Sequence, residues 1–257
     1  MKFLQSLSAQ VSLFTQGAIL ALGVVFILLD VITESLNPVI DLAWVTVLVC
    51  GLPVLINSVQ SIWERLEIHA NFLIVVAMVA LISNGDYHTA AYVGLIVQAG
   101  FFLEQLITGE SHYTVDDDML PTMPAQLVAM RQGINNYSSV IVVAVLLLSM
   151  GSFALTQDFI HTVTLLLVLC PCSLELILVA LMMGSLVDDA SPVSELSKGT
   201  KQSHLGLLIV SIVFHVAIIC VGVLGLIDPV TAVALHGLAR LGLVYNLKVL
   251  NGSLCVA

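Results

Sequence analysis

Cys170, Pro171 and Cys172 stand together in the middle of a long apolar run, and Glu175 follows three residues after Cys172. In a regular helix residues i and i+2 point about 200° apart, so the two thiols could not share a ligand there. Pro171 lacks a backbone N–H and clashes with the preceding turn, which predicts that the helix opens at this point. The opened turn can swing both sulfurs to one side and free carbonyls for polar work. Thiolates are soft ligands suited to Zn²⁺, Cd²⁺ or Cu⁺. Glu175 shares a face with Cys172, at a depth where a carboxylate without a partner is costly. It would balance charge or carry protons. The plainer alternative makes the two cysteines small apolar fillers. A proline between them in mid-span and a glutamate one turn on favour a ligand site.

Two histidines belong to the same level of the chain. His215 lies about eleven residues, and His236 about seven, from the outer ends of their apolar stretches, so their depths differ by roughly one turn. Cys170 and Cys172 fall at a similar depth. One buried histidine is ordinarily a hydrogen-bonded structural residue, whereas two at the level of a Cys-Pro-Cys break suggest a ligand cluster. Cys170, Cys172, His215 and His236 together would satisfy a tetrahedral Zn²⁺ site. Glu104 reads equally as a relay or exit carboxylate and as an interfacial charge. Arg240, inside an apolar stretch, requires a partner that Glu175 or Glu104 could supply. His69 and His88 border span ends, and Cys50 and Cys220 read as packing residues.

The elements that must position these groups follow from composition. Of 257 residues, 59% are hydrophobic and only 9% charged, and the mean hydropathy is +1.10. A soluble domain carries about 25% charged residues, so the solvent for this surface must be lipid. The net charge of −10 resides mostly in loops, including Asp116, Asp117, Asp118, Asp188 and Asp189, and reads as a solvated rim. Nothing is basic enough for nucleic acid, and five cysteines, mostly in apolar runs, do not describe a disulfide scaffold. A lipid-spanning helix needs roughly 20 apolar residues. The candidates are 11–32, 40–62, 70–84, 88–107, 138–157, 160–187, 205–226 and 229–250, with Pro53 expected to kink the second. The first lacks a small-residue cleavage site and reads as a retained span rather than a signal peptide. Lys2, Arg65, Arg131, Lys198, Lys201 and Lys248 all fall on one side of an eight-span chain. Both termini are therefore expected on the cytoplasmic side of a cell membrane. The connections 108–137 and 188–204 show no sustained apolar period and are expected to bury no core of their own, leaving 1–257 as a single transmembrane domain.

Cys-Pro-Cys in the sixth of about eight spans resembles the transport motif of heavy-metal P-type ATPases, the pumps for Zn²⁺, Cd²⁺, Pb²⁺, Cu⁺ or Co²⁺. The resemblance extends along nearly the whole chain. Ala70-Asn71-Phe72-Leu73 through Asn84-Gly85-Asp86-Tyr87 is similar to the family's short third span and its turn. Gly100 to Glu104 resembles the Gly-x-x-Leu-Glu that ends its fourth, and Met123 to Gly133 the lead-in to its actuator domain. His236-Gly237 through Val244-Tyr245-Asn246 is similar to its eighth span. His215 falls where the zinc and cadmium branch keeps a lysine. Span 7 lacks the Tyr-Asn pair of the copper branch, and span 8 its Met and Ser-Ser.

The departures are as informative. No Asp-Lys-Thr-Gly-Thr occurs, so there is no aspartate to phosphorylate, and Thr108-Gly109-Glu110-Ser111 has no actuator domain around it. A domain needs about 50–200 residues, which neither long connection provides. The combined expectation is an all-α polytopic membrane protein in the arrangement of a heavy-metal P-type ATPase membrane domain, not itself an enzyme and using no nucleotide. It would move a divalent transition metal, Zn²⁺ foremost, with Cd²⁺ or Co²⁺ as alternatives. The rival expectations are a non-transporting metal sensor or accessory subunit, or the membrane half of a split pump. Its partners would be lipid, the metal, and another transporter subunit or a metallochaperone.

Overall fold

The computed structural model describes residues 13–34, 42–65, 71–108, 125–171 and 196–254. Those residues form eight helices and no strand. They are α1 (Leu13–Glu34), α2 (Ala43–Arg65), α3 (Asn71–Ser83), α4 (Tyr87–Thr108), α5 (Ala125–Thr156), α6 (Phe159–Val168), α7 (Leu196–Val223) and α8 (Pro229–Leu254). Three stretches are long and apolar enough to cross a membrane: Phe14–Thr33, Tyr87–Ile107 and Tyr137–Thr156. Helices suit such a sequence because every backbone N–H and C=O is satisfied within the segment. Only 11% of the first of these stretches is buried against the rest of the protein, so most of its apolar surface is exposed.

Local chemistry sets the helix ends. At the close of α3 the Gly85 N–H reaches the Ile82 carbonyl at 3.0 Å and the Asp86 N–H reaches that of Leu81 at 3.0 Å. With Gly85 at φ +83° this is a Schellman cap. Gly225, at φ +69°, ends α7 in the same way. The acids of these turns then start the next helices. Asp86 accepts the Thr89 N–H at 3.2 Å, Asp158 that of His161 at 3.0 Å and Asp228 that of Thr231 at 3.4 Å. Pro229 follows Asp228 at the first helical position, where its missing N–H costs nothing.

Two helices extend beyond the spans expected for them, although the membrane-length stretch Tyr137–Thr156 falls where 138–157 was expected. The α5 helix begins at Ala125 rather than 138, and α7 at Leu196 rather than 205, so part of each long connection is helical. Ala125 to Arg131, Val128 apart, are good helix formers placed directly after Pro124, which favours the extension. At 32 and 28 residues these helices run about 48 and 42 Å, longer than a hydrocarbon core of about 30 Å. Pro53 lies inside α2, which continues through it.

The helix α4 lies at the centre. It packs against α1, α2, α3 and most extensively α8, while α8 also packs against α6 and α7. The core holds Leu73, Leu81, Val93, Val142 and Leu167, all fully buried. Small residues allow the close approaches. A methyl group at Gly51 or Gly94 would come within 2.8 or 2.9 Å of the Met78 Cε, and one at Gly222 within 2.9 Å of Val168. One polar contact ties three helices together. Buried Asp30 in α1 accepts the Ala43 N–H of α2 at 3.2 Å and pairs with Nδ1 of His88 in α4 at 3.2 Å.

Candidate functional site

The α6 helix ends two residues short of Cys170. Leu169 caps it, with its N–H on the Leu165 carbonyl at 3.0 Å. Leaving the helix before a proline is what the steric restriction on the preceding residue dictates. Cys170 is 4% exposed and belongs to the apolar cluster that contains Val163, Leu167 and Val233. Cys172 and Glu175 lie outside the described residues.

His215 on α7 and His236 on α8 come together. Their ring centres are 4.8 Å apart, the planes inclined at 64°, and both residues are 6% exposed. The helices carrying them pack against each other, and α6 packs against both. Two imidazoles on one tetrahedral Zn²⁺, with Zn–N bonds of about 2.0–2.1 Å, place their ring centres roughly 5 Å apart. The spacing of this pair fits that requirement. Of the expected tetrahedral set, Cys172 lies outside the described residues. Among the described residues no three His, Cys, Asp or Glu side chains gather as a metal site, so Cys170 does not join the histidines.

Glu104 has a different companion. It forms an ion pair with Arg240 at 2.9 Å, with a second contact at 3.3 Å. The guanidinium also lies over the Phe101 ring, 5.5 Å from its centre. Glu104 is one of the two partners expected for Arg240, and the other, Glu175, lies outside the described residues. His236 and Arg240, one turn apart on α8, both face a small cleft bounded by α3 and α4.

Asp30 and His88 were not anticipated as a pair. The signal was present, since an acid inside an apolar span requires a partner, but its identity depended on how α1 and α4 meet. No family model, curated protein or solved structure matches the chain, so its likeness to heavy-metal pumps stands on the quoted motifs.

Proposed function

We propose that this chain is a polytopic membrane protein of about eight spans, arranged like the membrane part of a heavy-metal pump. It binds a soft divalent transition metal, Zn²⁺ foremost, within the helix bundle and passes it across the bilayer without hydrolysing ATP itself. The observation that carries this reading is the juxtaposition of His215 and His236, two buried imidazoles at 4.8 Å. They sit on helices that pack against α6, which stops just before Cys170-Pro171. A bare dication does not cross hydrocarbon, so ligands must replace its hydration shell and still let it go. Neutral imidazoles suit that exchange. The thiolates of Cys170 and Cys172 would supply the remaining ligands, with Glu175 balancing charge.

The test is metal stoichiometry and affinity on detergent-purified protein for Zn²⁺, Cd²⁺ and Cu⁺, comparing the native chain with Cys170→Ser/Cys172→Ser. One tightly bound metal, lost in the double variant, is the expected result. Equal weak binding by both proteins sinks the reading. Flux in proteoliposomes without ATP then separates a transporter from a sensor or accessory subunit, which would bind without transport. Flux that needs both ATP and an added partner would identify a split pump.

A further inference from the structure

Asp30 in α1 is 7% exposed, and a carboxylate so placed needs a counter-charge. Across α1, α2, α3 and α4 the only Lys or Arg is Arg65. It ends α2, the helix whose first residue, Ala43, donates to Asp30 Oδ1, and so lies roughly 30 Å away along that helix. What faces Asp30 instead is Nδ1 of His88, 3.2 Å from Oδ2, on an imidazole that is charged only when protonated. The His88 side chain is 49% exposed, so the pair is reached from outside through the histidine. Its donors are one oxygen and one nitrogen, a set that borderline divalent cations such as Zn²⁺ and Co²⁺ accept. A tetrahedral ion with such bonds, about 2.0–2.2 Å each, holds its oxygen and nitrogen roughly 3.3 Å apart. Oδ2 and Nδ1 already stand close to that separation. With the proton of the neutral ring on Nε2, the Nδ1 lone pair is left for the ion, while Oδ1 keeps the Ala43 N–H. Neighbouring rings brace the pair. Trp44, next to Ala43, packs on Tyr87, next to His88, with ring centres 4.8 Å apart.

We propose that Asp30 and His88 form a divalent transition-metal site that joins α1 to α4, distinct from the histidine pair of α7 and α8. The inference does not depend on the metal-binding reading of that pair. No third His, Cys, Asp or Glu joins the two among the described residues. The remaining positions fall to water, and the ion is held loosely and exchanges readily. The donor set takes Zn²⁺ or Co²⁺ and not Cu⁺, which prefers sulfur.

The experiment titrates Co²⁺ into the full chain carrying Trp63→Phe. Trp63 is 75% exposed, and replacing it leaves Trp44 as the sole indole, whose emission a paramagnetic ion quenches at short range. Saturable quenching that excess Zn²⁺ reverses is the expected result. His88→Ala and Asp30→Asn should each raise the half-saturating Co²⁺ concentration by about tenfold or more. The second of these keeps an acceptor for the Ala43 N–H, so it removes charge without removing that bond. His215→Ala/His236→Ala should quench as its parent does. Quenching that is absent, or that either His88→Ala or Asp30→Asn leaves unchanged, overturns the site and leaves the reading of the histidine pair untouched. Quenching lost only in His215→Ala/His236→Ala overturns it equally and assigns the ion to that pair. Should Asp30→Asn not purify as a monodisperse protein, the half-exposed histidine decides alone, through His88→Ala and His88→Gln.

Discussion

At the scale of single residues, chemistry centres on the two histidines. Both are 6% exposed, and they approach each other edge to face. His215→Ala and His236→Ala should each lower Zn²⁺ affinity by at least about tenfold, read by competition with a chromophoric chelator. An undiminished affinity in both variants would place the metal elsewhere. Asp228 offers a separate test outside the apolar stretches. The Thr231 hydroxyl that donates to it, aided by backbone N–H groups, holds its carboxyl below the usual range. A depressed folded-state value means that the contribution to stability is complete above the ordinary carboxylate pKa. It is lost as the pH falls through the lower folded value. Thr231→Val should therefore melt below the native protein at neutral pH. The two thermal unfolding curves should converge in acid, and a gap that persists there would rule the carboxylate out as its source.

At the scale of elements, the helices meet through glycines, and the neighbouring side chain determines the cost of filling them. A Cβ at Gly222 would lie 2.9 and 3.1 Å from the two methyls of Val168 and 3.3 Å from its Cβ. Valine is branched at Cβ and has little freedom to turn away. A Cβ at Gly51 instead meets the far end of Met78 at 2.8 Å, and methionine adapts. Gly222→Ala is accordingly expected to destabilise by about 1–3 kcal/mol, and Gly51→Ala by less. Melting temperatures in detergent test the order, and the reverse order would mean that the α6–α7 contact yields more readily than its geometry implies. Acidic loops acquire a role at this scale too. The acids at 86, 158 and 228 are helix N-caps, a position that favours negative charge.

For the whole molecule, the prediction concerns orientation. The proposed eight-span arrangement, with its basic residues on one side, predicts both termini in the cytoplasm, so terminal reporter fusions should both register as cytoplasmic. Opposite locations would require an odd number of spans. The helical class was legible in the sequence because apolar runs with so few charges leave the backbone no partner but itself. The end of α3 was equally legible, since Asn84-Gly85-Asp86 carries its turn chemistry locally. Helix starts at Ala125 and Leu196 were missed because hydropathy marks where a helix meets lipid, not where it begins. The candidate site divides along the same line. Residue type and depth singled out His215 and His236, and the need of a charge for a partner singled out Arg240. Which side chains actually meet was decided by α8 crossing α7 and α4, which brings His215 to His236 and Glu104 to Arg240 while keeping Cys170 in an apolar cluster. Sequence determines what each helix offers along its own axis, within a few residues of local hydrogen bonding. Contacts between residues 136 positions apart, such as Glu104 and Arg240, depend on how helix faces rotate and pack, and only the tertiary structure resolves that.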